Sequence, residues 1–172
     1  MTNILSVDWA FHKTGLAFYD SETKTLTLST YTIKDTIKIK WWDLDFFNWY
    51  MKQLHFMMLK NDLLQADIIL IEVGFGKVDK MSLLYSWFYS FWAHLSNQKE
   101  VIYINSSLWI KQVLNVNNMN KIDKNMDKQL LKELFYKRFN TLEQFTQDEI
   151  DATMMLLWKY PDIEIKEIKR IS

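Results

Sequence analysis

An α/β fold built on one mixed sheet, antiparallel at its start and parallel afterwards, is what the sequence predicts. Three observations carry this. Three strand-like segments follow one another closely within residues 4–33. Two later apolar runs, ADIILIEV and VIYIN, are short, continuous and flanked by helical patterns, as buried parallel strands are. Glycine (3) and proline (1) are scarce and 49% of residues are apolar, so the chain has a core to bury and few places to break.

Taken in order, Ile4–Trp9 and Thr14–Tyr19 read as two strands joined by a tight turn. TKTLTLSTYTI, within Thr23–Ile33, alternates with period two, as a half-exposed antiparallel strand does. From Asp43 to about Leu64 the pattern turns helical, with Leu44, Phe47, Tyr50, Met51, Leu54 and Met58 recurring at threes and fours. ADIILIEV is the next strand, Met81 to Leu95 the next helix, and Val101–Asn105 the last strand. Helices over Ser107–Leu114, Lys121–Phe139 and Thr146–Tyr160 complete the chain. The order β-β-β-α-β-α-β-α resembles that of the ribonuclease-H-like fold, a mixed five-stranded sheet with helices on both faces.

The 172 residues are predicted to form a single domain, residues 1–172, without linker, repeat or low-complexity tract. Aromatics make up 16% of the chain, which excludes disorder. Lys+Arg and Asp+Glu are both 21, so any nucleic-acid partner must be met by a local patch and not by a global field. Without cysteine there is no disulfide and no thiolate metal site. No basic-then-apolar leader is visible, and the longest uncharged apolar run, Met81 to Leu95, falls short of the roughly 20 residues that span a bilayer. The expectation is a soluble, cytoplasmic protein with no membrane partner.

Asp8 lies inside the first strand, and Glu72 ends the apolar run IILIEV. A carboxylate in such a place is costly unless something pairs with it. If the two strands are neighbours, the acids repel one another unless a cation lies between them. TQDEIDATMML adds more acids: Thr146 and Glu149 have capping-box spacing, and Asp148 and Asp151 share one helical face. Each acid also has a plainer reading. Asp148 and Glu149 suit the dipole of a first helical turn, Asp8 suits a turn, and Glu72 at a strand end can face water. Glu149 also rivals Asp148 as a ligand if the helix starts one residue later. Together, two strand acids and a helical DxxD can converge on one point and offer oxygen ligands only, which suits Mg²⁺ or Mn²⁺. Two such ions serve phosphodiester cleavage.

Between Lys111 and Arg138, seven bases meet three acids, a net charge of +4. Lys121, Lys124, Lys128 and Lys132 follow helical spacing, which reads either as a solvated face with pairs such as Lys124–Asp127 or as a rail for phosphates. Lys13 and Lys77 can add to it. Phe75, in the loop GFG beside Glu72, either tucks over the core or stacks on an unpaired base. The helix MSLLYSWFYSFWAHL is apolar on nearly every side and needs cover all round, from its own chain or from a two-fold partner.

At these motifs the sequence resembles the RuvC-type Holliday junction resolvases, in a form that fits a divergent phage or mobile-element member. VDWAFHKTGLAF resembles the family's catalytic Asp followed by a loop ending Thr-Gly, and IEVGF its Glu with a Phe three residues on. LWIKQVL resembles a stretch with a phosphate-binding lysine, here Lys111. DEIDATMML resembles the closing Asp-x-x-Asp-Ala. The resemblance implies catalytic and metal-binding roles for Asp8, Glu72, Asp148 and Asp151 with two Mg²⁺ ions per site (Mn²⁺ as alternative). It implies phosphate contacts from Lys111 and Lys124, with Lys121 as a rival for Lys124, and favours stacking for Phe75; Lys13, Lys77 and Lys128 join the expected DNA contacts as parts of the local basic patch. It also implies a homodimer that nicks opposing strands of four-way DNA junctions; the all-round apolar helix 81–95 is the expected interface of such a dimer. The loop after Glu72 and the segment NVNNMN depart from the family pattern, as does the missing basic excess. The other readings are a different ribonuclease-H-like nuclease, acting on RNA–DNA hybrids or on flap or branched DNA, and a catalytically silent DNA-binding relative.

Overall fold

A computed structural model describes residues 2–9, 13–32, 44–73, 99–115 and 124–171. The predicted helix 81–95 lies outside them. Strands β1 (Ile4–Trp9), β2 (Lys13–Asp20) and β3 (Thr25–Thr32) form an antiparallel meander. The β2–β3 turn is held by the Asp20 carboxylate, which accepts from the Glu22 amide at 2.9 Å and the Thr23 hydroxyl at 2.9 Å. Helix α1 (Leu44–Lys60) follows, ending sooner than its apolar periodicity suggests. Asp62 takes a left-handed φ of 57° and the chain tightens into a 3₁₀ turn, Leu63–Gln65. Strands β4 (Ile68–Val73) and β5 (Glu100–Asn105) then add in parallel beside β1. Helices α2 (Ser106–Val113), α3 (Lys124–Phe139) and α4 (Gln147–Lys159) come next, each within a residue or a few of its sequence-predicted bounds.

The sheet has six strands, in the order β5-β4-β1-β2-β3-β6. The prediction of five is therefore corrected by β6 (Glu167–Arg170), which pairs parallel to β3 from Thr25↔Glu167 to Leu28↔Arg170. Three of its four residues are charged and its length gives no usable alternation. It is a strand because β3 offers it an edge: the Lys166 amide donates to the Lys24 carbonyl and the Ile171 amide to that of Leu28, both at 2.9 Å.

Side-chain alternation sends the two faces of the sheet into separate cores. Leu5, Val7 and Trp9 of β1, with Leu16, Ile69 and Ile71, pack against Tyr50, Met51, Leu54 and Met58 of α1. Ile4, Ala17, Leu28, Leu70 and Ile104 point the other way, toward Trp109, Phe135, Ile150 and Leu156 on α2, α3 and α4. Cover on both faces is why IILIEV is continuously apolar. Asp8 and Glu72, two or four residues along from Leu70 and Ile4, belong to the second face. Among the described residues no helix is long and apolar enough to cross a membrane.

Candidate active site

The site lies along one row of the sheet. Asp8 pairs with Gly15 on β2, Gly15 pairs with Thr30 on β3, and Glu72 pairs with Ile104 on β5. The parallel pairing of β1 with β4 reaches Val7↔Ile71, so the next residues along, Asp8 and Glu72, stand side by side on strands about 4.8 Å apart.

The first turn of α4 lies over this row. Thr146 caps the helix with a complete capping box: the Glu149 amide donates to the Thr146 hydroxyl at 3.2 Å, and the Glu149 carboxylate accepts from the Thr146 amide at 2.7 Å. The Thr146 and Thr30 hydroxyls are hydrogen-bonded at 2.7 Å. Gly15 lets the helix approach, because a Cβ there would collide with the Asp148 carbonyl group and sit 2.9 Å from the Asp148 Cβ. Asp148 and Asp151 are thereby carried over the row that holds Asp8.

The electrostatics register the crowding. Burial holds the Asp8 carboxyl well above the usual range, and the charges of Glu72, Asp151 and Asp148 push it the same way, with Lys128 of α3 acting against them. Burial lifts Glu72 to about 7, an effect reduced by a hydrogen bond from Trp109 and added to by Asp151. Burial lifts Asp151 to about 6, opposed by a hydrogen bond from Gln147 and by Lys128, with Asp148 adding to the rise. The Gln147 amide nitrogen donates to Asp151 at 2.7 Å, and the Trp109 indole donates to Glu72 at 3.2 Å.

The four acids singled out in the sequence thus feel one another. Among the described residues, no group of three or more His, Asp or Glu side chains is arranged to hold a metal ion as placed. The donor set itself is oxygen-only and, among the described residues, poorly offset by cations, which is the chemistry a hard divalent ion takes. Glu149 has a different commitment. It is fully buried, and besides the capping bond it accepts from the Arg170 guanidinium of β6 at 3.0 Å. Both of its oxygens are occupied.

Of the basic residues, Lys128 is the cation acting on Asp8 and Asp151. Lys111 is half-buried in the last turn of α2, Lys13 is exposed at the start of β2, and Lys124 is the first residue of α3. Phe75, Lys77 and Lys121 lie outside the described residues. Sequence reasoning missed Trp109, Gln147 and Arg170. Trp109 stands two residues before the lysine singled out in LWIKQVL, and Gln147 immediately before the DEID acids. Arg170 had no local signal.

The sequence matches no protein-family model and no curated protein. Solved structures do match. The RuvC of Thermus thermophilus in complex with a Holliday junction substrate aligns with a TM-score of 0.60 and 10% identity, over 92% of this chain and 92% of that one. A second Thermus thermophilus RuvC structure gives 0.59 and 10%, over 92% of this chain and 95% of that one. The fold is RuvC-type and ribonuclease-H-like. Its sheet keeps the three antiparallel strands first and the parallel ones after, with β6 added along the edge of β3. In this RuvC-type fold the row Glu72–Asp8–Gly15–Thr30, under the start of α4, is where the described carboxylates gather.

Proposed function

We propose that the chain, residues 1–172 acting as a single nuclease domain, is a structure-selective DNA endonuclease. It would resolve four-way junctions by nicking opposing strands symmetrically. The observation that carries this reading is the set of four mutually repelling carboxylates, on β1, β4 and α4, in a RuvC-type fold. Raised carboxyl affinities for protons mean a strong demand for positive charge, and a divalent cation meets that demand with oxygen ligands alone.

In this reading Asp8, Glu72, Asp148 and Asp151 hold two Mg²⁺ ions, with Mn²⁺ as a substitute. Such ions, when bound, supply an activated water at neutral pH and offset charge on the phosphate. The chain's own residues do the placing. Glu149 and Thr146 start α4 where Asp148 and Asp151 reach the sheet. Trp109 and Gln147 each restrain one acid. Lys128 brings a cation to the rim of the cluster, where a backbone phosphate would sit, and Lys13, Lys77, Lys111, Lys121 and Lys124 extend the contact along DNA. Phe75 would stack at an opened junction centre. Two copies joined through helix 81–95 would present two such sites to the two-fold symmetry of a junction.

The test is cleavage of synthetic four-way junctions, plain duplex and RNA–DNA hybrid with Mg²⁺, beside an Asp8→Asn control. Paired nicks in junction strands, lost in the control, are the expected result. Equal cutting of duplex refutes junction selectivity. Preference for the hybrid points to a ribonuclease H, and junction binding without cutting to a silent relative.

A further inference from the structure

Trp109 is fully buried on α2, packed in the core with Leu131, Phe135 and Met155. A buried indole N–H needs an acceptor, and the usual one is a backbone carbonyl or a neutral side chain. Here it is Oε2 of Glu72, 3.2 Å away. That carboxylate is half-buried and repelled by Asp151, so it is among the least settled groups on this face of the sheet. An indole has a single donor and a carboxylate two oxygens. The bond therefore restrains the side chain through one oxygen and leaves Oε1 without a claim from the indole. The indole ring is locked by packing, so the restraint is rigid in a way that a surface lysine's would not be.

We propose that Trp109 is a positioning residue for Glu72: its indole N–H fixes the Glu72 carboxylate in the orientation in which the acidic cluster takes up a divalent cation. This rests on the reading of Asp8, Glu72, Asp148 and Asp151 as cation ligands. A partner of this kind, one shell out from the ion, is worth about 10–100-fold in metal affinity.

The experiment is calorimetric titration of Mn²⁺ into the 172-residue, metal-free protein without DNA, for wild type, Trp109→Phe, Glu72→Ala, which leaves the indole no acceptor at this position, and the double variant. Phenylalanine keeps an aromatic ring in the core and removes the donor, together with some packed volume that the double variant controls for. Trp109→Leu serves in the same comparison should the phenylalanine variant not fold. Expected are Mn²⁺ binding about 10–100-fold weaker in W109F than in wild type, and no further loss when W109F is added to E72A. A residue that merely packs would weaken both backgrounds equally, and that result overturns the proposal. So does Mn²⁺ affinity in W109F within about twofold of wild type, set against the fold-change that a partner one shell out contributes. Absence of Mn²⁺ binding by the wild type removes the cation reading itself, and the proposal with it, which is a different failure from a wild type that binds beside an unaffected W109F.

Discussion

Adding one methyl group at Gly15 is a small change that displaces the acids without substituting any of them. Gly15 is bonded across the sheet to Asp8 on one side and Thr30 on the other, and the first turn of α4 rests on it. A Cβ at this position would stand 2.9 Å from the Asp148 Cβ, where ordinary contact begins at 3.4 Å, and would be closer still to the Asp148 carbonyl group. The obstacle is helix backbone and cannot swing aside. Either α4 lifts or β2 bends. Overpacking of this kind costs about 1–3 kcal/mol, and for a chain of this size that is a fall in Tm of about 3–10 °C. The effect on cleavage should be larger in proportion. The helix must move on the order of 1 Å, taking Asp148 and Asp151 away from Asp8, and misplacement on that scale costs about a hundredfold in rate. Gly15→Ala is therefore expected to melt slightly earlier and to cut a four-way junction about 100-fold more slowly, while still binding it in chelator. Ala17→Gly is the control. It lies on the same strand and face, creates no overlap, and costs about 0.5–1 kcal/mol through backbone freedom, so it should lose stability but little activity. A G15A protein that cuts at wild-type rate, or an A17G protein that loses as much activity as G15A, would refute the idea that close approach at this position sets the geometry of the acids.

Arg170→Met leaves Glu149 fully buried with no cation, and is expected to cost about 2–3 kcal/mol, read as a lower urea midpoint. Adding Glu149→Gln, which retains the capping spacing, should recover most of that loss. The metal-free protein is expected to be more stable at about pH 5 than at about pH 8, by melting in chelator. Glu72, at about 7, and Asp151, at about 6, bind protons more tightly folded than unfolded, so their contribution is complete below their ordinary range near pH 4 and lost as pH rises through 6 to 7. Mn²⁺ should reverse this slope, since cation and proton compete for the same oxygens. Asp8→Asn removes the carboxylate that burial and the charges of Glu72, Asp151 and Asp148 all disfavour, and is expected to raise the chelated protein's Tm by a few degrees, abolish cutting, and leave junction binding intact.

Much of this arrangement is legible before any coordinates. The boundaries of β1, α2 and α4 follow from periodicity and from the Thr146–Glu149 box, since these are local signals. The acids are legible because burial normally excludes them: Asp8 among Ile4, Leu5 and Val7, and Glu72 after Ile69, Leu70 and Ile71, each contradict their surroundings. Their supports are not legible. Trp109 is only a letter of LWIKQVL until α2 brings it beside β4, and Gly15 is only one residue of a strand until α4 lies over it. Such roles exist only between elements, and a single sequence records no pairing between them.

The sixth strand shows how far such a non-local role can reach. In TQDEID three acids fall within four residues, and sequence alone leaves Asp148 and Glu149 as rivals for the same duty. A helix turns about 100° per residue, so Asp148 and Asp151 are separated by roughly 60° while Glu149 stands about 100° round from Asp148. That rotation carries Glu149 away from the Asp8 row and into a buried position, where its charge needs a counter-ion. β6 supplies it through Arg170, whose backbone is held in register by pairing with Leu28 of β3. The same β3 holds Thr30, which bonds the helix cap. One strand thus anchors α4 both directly and through its neighbour, and the acid withdrawn from the cluster is the one that ties the helix down. Helical rotation separates Glu149 from the two acids that remain with Asp8, and β6 is what makes its buried charge tolerable there.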